Sequence, residues 1–174
     1  VGIFKAFMSS PKAALESIQR RIEKVDATKA KNEFASENLE VLNDLKIKLE
    51  TILSTHSDTK YKKLKATLLE LGWTGTKKND RYVIFAERIN TLEYLKENLQ
   101  NDFKIAEDAI AFFHGGLSDT EQQTIIEDFG KEDSSVRLLL CSDAGSQGVN
   151  LHFYCNRMFN YDIPWSLIVL EQRN

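Results

Sequence analysis

Near residue 80 the spacing of the apolar residues changes, and no other feature restricts the fold as much. Before that point they recur every three or four positions: Leu15, Ile18, Ile22 and Val25, then Leu39, Leu42, Leu45, Leu49, Ile52 and Leu53, then Tyr61, Leu64, Leu68 and Leu71. This is the period of helices that bury one face. Beyond it come short apolar runs, Tyr82 to Ala86, Ala109 to Phe113, Val136 to Cys141 and Arg157 to Tyr161, separated by helical patterns. Such runs suit strands buried on both faces, and strands alternating with helices require crossover connections and hence a parallel sheet. The expected class is α/β: a parallel sheet flanked by helices over 60–174, preceded by a helical segment over 1–59.

Local signals mark the element ends. Ser9-Ser10-Pro11 opens a helix, with a hydroxyl N-cap and proline where its missing N–H costs nothing. The polar stretch Ala27 to Asn32 ends that helix, and the second stripe folds back on the first as a hairpin; the repeats are too few to favour a coiled-coil dimer. His56 to Thr59 is a break, Lys60 to Leu71 a third helix closed by Gly72, and Thr74 to Asp80 a polar linker. Asn90 or Thr91 caps the helix after the first strand, Ser118-x-x-Glu121 is a capping box, and Ser166 to Arg173 is a last helix.

Composition excludes several classes. With 42% hydrophobic and 28% charged residues the chain is not disordered, and its 174 residues can bury a core. Two cysteines form no disulfide framework, which points to a reducing, intracellular and hence cytoplasmic setting. No apolar run approaches the ~20 residues that span a bilayer, so no membrane partner is expected. The opening Val1 to Met8 meets charge too soon for a signal peptide. The net charge of −3 hides an asymmetry: residues 1–80 hold 15 Lys and Arg against 11 Asp and Glu, residues 81–174 hold 8 against 15. The acidic second half argues against a nucleic-acid grip there that depends on net charge.

Ligands of open parallel sheets sit beyond the carboxyl ends of the strands. Four segments are therefore the candidates: Glu87 to Thr91, His114-Gly115-Gly116, Ser142 to Asn150, and Asp162-Ile-Pro-Trp165. The glycines among them leave room for backbone N–H groups to approach phosphate oxygens, although turning and capping alone account for any one such loop.

Their order carries more. A strand ending Phe85-Ala-Glu, then His-Gly-Gly-Leu-Ser before a capped helix, then Ser-Asp-Ala-Gly-Ser-Gln-Gly-Val-Asn-Leu, then Tyr-Asp-Ile-Pro-Trp, then Glu-Gln-Arg, resembles the second RecA-like lobe of superfamily-two helicases and translocases, nearest to the RapA-like and Swi/Snf-type branch. The resemblance covers residues 60–174 well, and residues 4–26 are similar to the branch's helical lead-in. It implies that Ser142, Asp143 and Gly145, in the loop known in the family as motif V, lie on nucleic-acid phosphates, with His114, Gly115 and Arg88 as further backbone contacts. Gly148 and Asn150 would face the nucleotide, as would Gln172 and Arg173, which match the opening of motif VI. The family's arginine fingers follow that opening and are expected just after Asn174, so no catalytic residue is expected within the chain. Two departures stand out: Gln122 where many relatives place an arginine, and Asn150 where DEAD-box relatives have aspartate.

The resemblance also implies ATP and Mg²⁺ in an intact protein, with Mg²⁺ held by an N-terminal lobe. No Gly-x-x-x-x-Gly-Lys-Ser/Thr occurs in this sequence, so the chain by itself is expected not to hydrolyse ATP. The abrupt ends suggest a piece of something longer. The implied partners are nucleic acid, DNA in preference to RNA, and that N-terminal lobe. Other readings are weaker. His152 and Cys155 could ligate a metal but lack a second pair, and no metal site is expected. Cys141 with His114 could form a nucleophile and base but lacks an orienting acid. Trp165 suits the core edge better than base stacking, Phe112 and Phe113 are expected in the core, and Arg88 and Lys77-Lys78 suit either phosphate contact or solvent. The rival function is a non-catalytic doubly wound module used for protein–protein docking.

Overall fold

The computed structural model describes residues 2–28, 34–76, 79–142 and 155–163. The chain divides into two compact units, Val1–Lys62 and Lys63–Asn174.

The first unit contains α1 (Gly2–Ser9), α2 (Pro11–Thr28), α3 (Phe34–Ser54) and the start of α4 (Thr59–Glu70). Helix α2 begins where the serine and proline require: Ser10 Oγ accepts the N–H of Ala13 at 3.1 Å, and Pro11 is the first helical residue. Ala14, Leu15 and Ile18 of α2 pack on Leu49 of α3, with Ile3, Ile22, Leu42, Ile52 and Leu53 around them, which is the hairpin expected from the stripes. Leu45 fits that stripe by its spacing and is instead exposed. Where the neighbouring helix crosses decides which stripe residues it covers, and spacing alone does not specify the crossing. Within the segment expected to be helical, residues 2–9 form a separate helix that ends before Ser10. Its last carbonyls, those of Met8 and Ser9, accept from Lys60 Nζ at 2.8 and 2.9 Å, a cation at the negative end of the helix dipole.

Helix α4 ends as Gly72 predicts. Gly72 has φ +70°, its N–H bonds to Leu69 O at 2.9 Å, and the N–H of Trp73 reaches back to Leu68 O at 3.0 Å. That left-handed closure favours glycine and satisfies two terminal carbonyls. It also turns Trp73 inward, where the indole stacks on Tyr82 and meets the edge of Phe103.

The second unit is built on four strands: β1 (Tyr82–Ala86), β2 (Ile110–Phe113), β3 (Leu138–Ser142) and β4 (Arg157–Asn160). All pair in parallel, in the order β2-β3-β1-β4. Helices α5 (Ile89–Phe103) and α6 (Asp119–Gly130) connect the first three. The step from β1 to β2 runs one way along the sheet and the step from β2 to β3 runs back. Right-handed crossovers therefore put the two helices on opposite faces. The alternation of side chains agrees. Val83, Phe85, Phe113, Leu139 and Cys141 share a core with Ile125, Ile126 and Phe129 of α6. The other face receives Leu92, Leu95 and Leu99 of α5, which lies against β1 and β3.

Two expectations are corrected. The N-cap of α5 is Arg88, not Asn90 or Thr91: Arg88 is extended (φ −118°, ψ 136°), its carbonyl accepts from the N–H groups of Thr91 and Leu92, and Thr91 is fully buried. The helix follows the strand so closely that the turn geometry, and not a hydroxyl, starts it. Phe112 is half-buried rather than core, because β2 pairs with only one strand among the described residues and Lys96 Nζ lies over its ring, 5.2 Å from the centroid.

The capping box is present in full. Glu121 N–H donates to Ser118 Oγ, and Glu121 Oε2 accepts from the backbone N–H and the hydroxyl of Ser118 at 2.8 and 2.7 Å. The Ser118 hydroxyl and then its backbone N–H hold the Glu121 carboxyl below its ordinary value. Ser118→Ala is expected to cost about 1 kcal/mol. Because the folded value is depressed, Glu121 stabilises fully above the unfolded glutamate range, and this is lost as pH falls through the folded value. Thermal melts of the chain and of Glu121→Gln should therefore differ at neutral pH and converge on acidification; a difference that persists in acid would contradict the assignment.

Candidate nucleic-acid interface

The register aligns the carboxyl ends of the strands. Phe85 of β1 stands beside Cys141 of β3 and Asn160 of β4, Phe113 of β2 stands beside Cys141, and one step on Ala86 stands beside Ser142. Residues that follow the strands thus emerge in one row, at about 4.8 Å per strand. Among the predicted site residues, the structure brings Arg88, His114, Gly115 and Ser142 to this edge. Asp143, Gly145, Gly148, Asn150, Gln172 and Arg173 lie outside the described residues, as do Trp165 and Lys77-Lys78.

Each member is held differently. Ser142 is the last residue of β3 and is buried, so its position is that of the sheet. Arg88 is half-buried at the start of α5. His114 is half-buried and Gly115 exposed in the loop between β2 and α6. The His114 carbonyl accepts from Leu117 N–H at 3.1 Å, and Gln122 Nε2 donates to the carbonyl of Leu117 at 3.2 Å.

Asp162 ties the row together, although the sequence reading only noted it after the fourth strand and gave it no role. Its side chain is buried, and Oδ2 accepts the N–H of Glu87 at 2.9 Å across 75 residues of sequence. The N–H groups of Tyr161 and Asp162 both turn back to Phe85 O. The strand exits of β1 and β4 are thereby fastened beside Arg88. The available signal was an aspartate directly after an apolar run, which is too common to single out.

The rival chemistries find little support here. Cys141 is fully buried in the α6-side core, out of reach of an external substrate. Burial pushes the Cys155 thiol up, which disfavours the thiolate form. Among the described residues no group of three His, Cys, Asp or Glu side chains could hold a metal ion, so they do not fit Mg²⁺. No described helix is long and apolar enough to cross a membrane.

The profile of the helicase conserved C-terminal domain matches residues 59–174. This chain belongs to that family. The chain is 31% identical over 97 residues to the RNA polymerase-associated protein RapA of Vibrio campbellii, covering 56% of this chain and 10% of RapA. It is 36% identical over 96 residues to the uncharacterized ATP-dependent helicase YqhH of Bacillus subtilis, covering 55% of this chain and 16% of YqhH. The chain therefore spans a small part of these relatives' length. Among solved structures, the Hef helicase domain of Pyrococcus furiosus superposes with a TM-score of 0.60 at 18% identity, over 95% of this chain and 33% of that one. The C-terminal part of the Fun30 ATPase domain does so with a TM-score of 0.52 at 15% identity, over 95% of this chain and 63% of that one. These structures share the fold, a parallel sheet with flanking helices, as the sequence reading expected.

Proposed function

We propose that this domain is the second RecA-like lobe of an ATP-dependent nucleic-acid helicase or translocase, whose strand-end row grips the phosphate backbone. The observation that carries it is the row itself: Arg88, His114, Gly115 and Ser142 fall at one sheet edge in a member of this family. A hydroxyl, an imidazole N–H, a guanidinium and glycine-exposed backbone all donate, and donors placed on phosphate oxygens carry no sequence information. Binding should thus be independent of sequence and weakened by salt. DNA is the proposed substrate, and the ATP-dependent activity named for the YqhH relative supports ATP as the energy source. Gly148, Asn150, Gln172 and Arg173 would line this lobe's side of an interlobe nucleotide site. ATP bound there would supply the free energy for closure and opening of the cleft, while Arg88, His114 and Ser142 hold the strand. Mg²⁺ and the phosphate cradle belong to an N-terminal lobe, the partner in this reading. Residues 1–59 are a helical lead-in to the lobe at 60–174, and the setting is cytoplasmic.

The test compares DNA-stimulated ATPase of a protein carrying both lobes with its Ser142→Ala/Gln147→Ala variant. Loss of a charge-assisted hydrogen bond to phosphate predicts about a tenfold lower stimulated rate with the unstimulated rate retained. An unchanged stimulated rate would remove Ser142 from the interface and favour the docking module instead.

A further inference from the structure

The loop between β2 and α6 contains a contact that concerns the state of His114 and not only its place. The backbone N–H of Gly116 donates to His114 Nδ1 at 3.1 Å. A nitrogen that accepts carries no proton, so a neutral ring so held bears its hydrogen on Nε2. The space tells the same story from the other side. A Cβ built on Gly116 would lie 3.1 Å from Nδ1 and 3.2 Å from Cε1 of that ring. A side chain at Gly116 would press on the imidazole, which would have to give by a few tenths of an ångström. Behind the ring, Gln122 Nε2 donates to the carbonyls of Leu117 and, at 3.5 Å, of His114 itself. The capping box at Ser118 anchors the far end of the same loop.

We propose that Gly116 is a positioning residue that fixes His114 as an Nε2–H donor toward a phosphate oxygen, with Gln122 bracing the loop in place of reaching for the ligand. This rests on the nucleic-acid reading of the strand-end row. The bonds of Gln122 to the loop carbonyls turn its amide inward. A neutral donor contributes a hydrogen bond but releases no counterion, which separates His114 from Arg88.

The test uses the 174-residue chain, a fluorescein-labelled single-stranded DNA as probe, and mildly alkaline buffer in which free imidazole is neutral. Nitrogen-15 shifts of the histidine side chains, assigned with His114→Gln, should show Nε2 protonated and Nδ1 bare. Gly116→Ala should shift His114 toward mixed tautomers and weaken DNA binding about threefold, at unchanged melting temperature, because the clash falls on a movable half-buried ring. His114→Ala should weaken binding roughly fivefold with an unchanged salt slope, whereas Arg88→Ala should lower the slope by about 0.7. If His114→Ala weakens binding but Gly116→Ala changes neither tautomer nor affinity, the positioning role is overturned and the interface survives. If the unsubstituted chain does not bind, or His114→Ala binds as well as it does, the reading beneath it is overturned.

Discussion

Replacing Trp73 by alanine is expected to destabilise the second unit by about 4 kcal/mol. The indole is 1% exposed, stacks on Tyr82 with centroids 6.2 Å apart and takes an edge contact from Phe103 at 5.3 Å. Tyr82 in turn touches Phe159, so the aromatic cluster links the end of α4 and the last residue of α5 to β1 and β4. Removing its largest member opens a cavity between elements that cannot all collapse into it. Trp73→Phe should cost far less, about 1 kcal/mol, because the buried Nε1 has no hydrogen-bond partner among the described residues and phenylalanine leaves no polar group behind. Hydrogen exchange of the β1 amides, which open with the core of this unit, measures both. Equal losses for the two variants would mean that the indole N–H matters more than its bulk.

Arg137→Ala is expected to cost about 3 kcal/mol, an effect large for a charged residue and opposite in sense to the usual tolerance of surface arginines. Arg137 is 3% exposed at the amino end of β3. Its Nε donates to Thr76 O at 3.1 Å, Nη1 to Val136 O at 2.9 Å and Nη2 to Ser134 O at 2.7 Å. Burial, and then the nearby Arg81, hold the guanidinium below the ordinary arginine value, yet it finds three carbonyls whose dipoles compensate the lost water. Truncation would leave the buried carbonyls of Val136 and Ser134 without this donor, while Thr76 O keeps the N–H of Asn79. Lysine carries the charge but not the fork, so Arg137→Lys should recover only part of the loss. Urea titrations followed by β-sheet hydrogen exchange would test this, and a loss under 1 kcal/mol for the alanine variant would show that water replaces the fork. The position lies at the edge opposite the strand-end row, so DNA affinity of the folded Arg137→Lys variant should be unchanged.

Gly72, Ser10-Pro11 and the Ser118–Glu121 box each behaved as read, because their physics is contained within a few residues: a left-handed closure, a proline at the first helical position, a reciprocal cap. The residues whose partners lie far along the chain were harder to see. Asp162 is unremarkable in sequence until its carboxylate meets the Glu87 N–H, and Arg137 reads as an ordinary basic residue until Thr76 accepts from it. Phe112 and Leu45 went the other way. Each fits an apolar pattern, and each is uncovered because of where the neighbouring elements run.

Sequence alone determined the alternation of strands and helices, most of their ends, and the motif order that marks the helicase C-terminal domain, since periodicity and capping are local and a family's loops keep their order along the chain. Only the tertiary structure decided the strand order β2-β3-β1-β4, and with it the row that sets Arg88, His114 and Ser142 side by side. Strand order and polar burial depend on hydrogen bonds between segments tens of residues apart, and no window of sequence contains both partners.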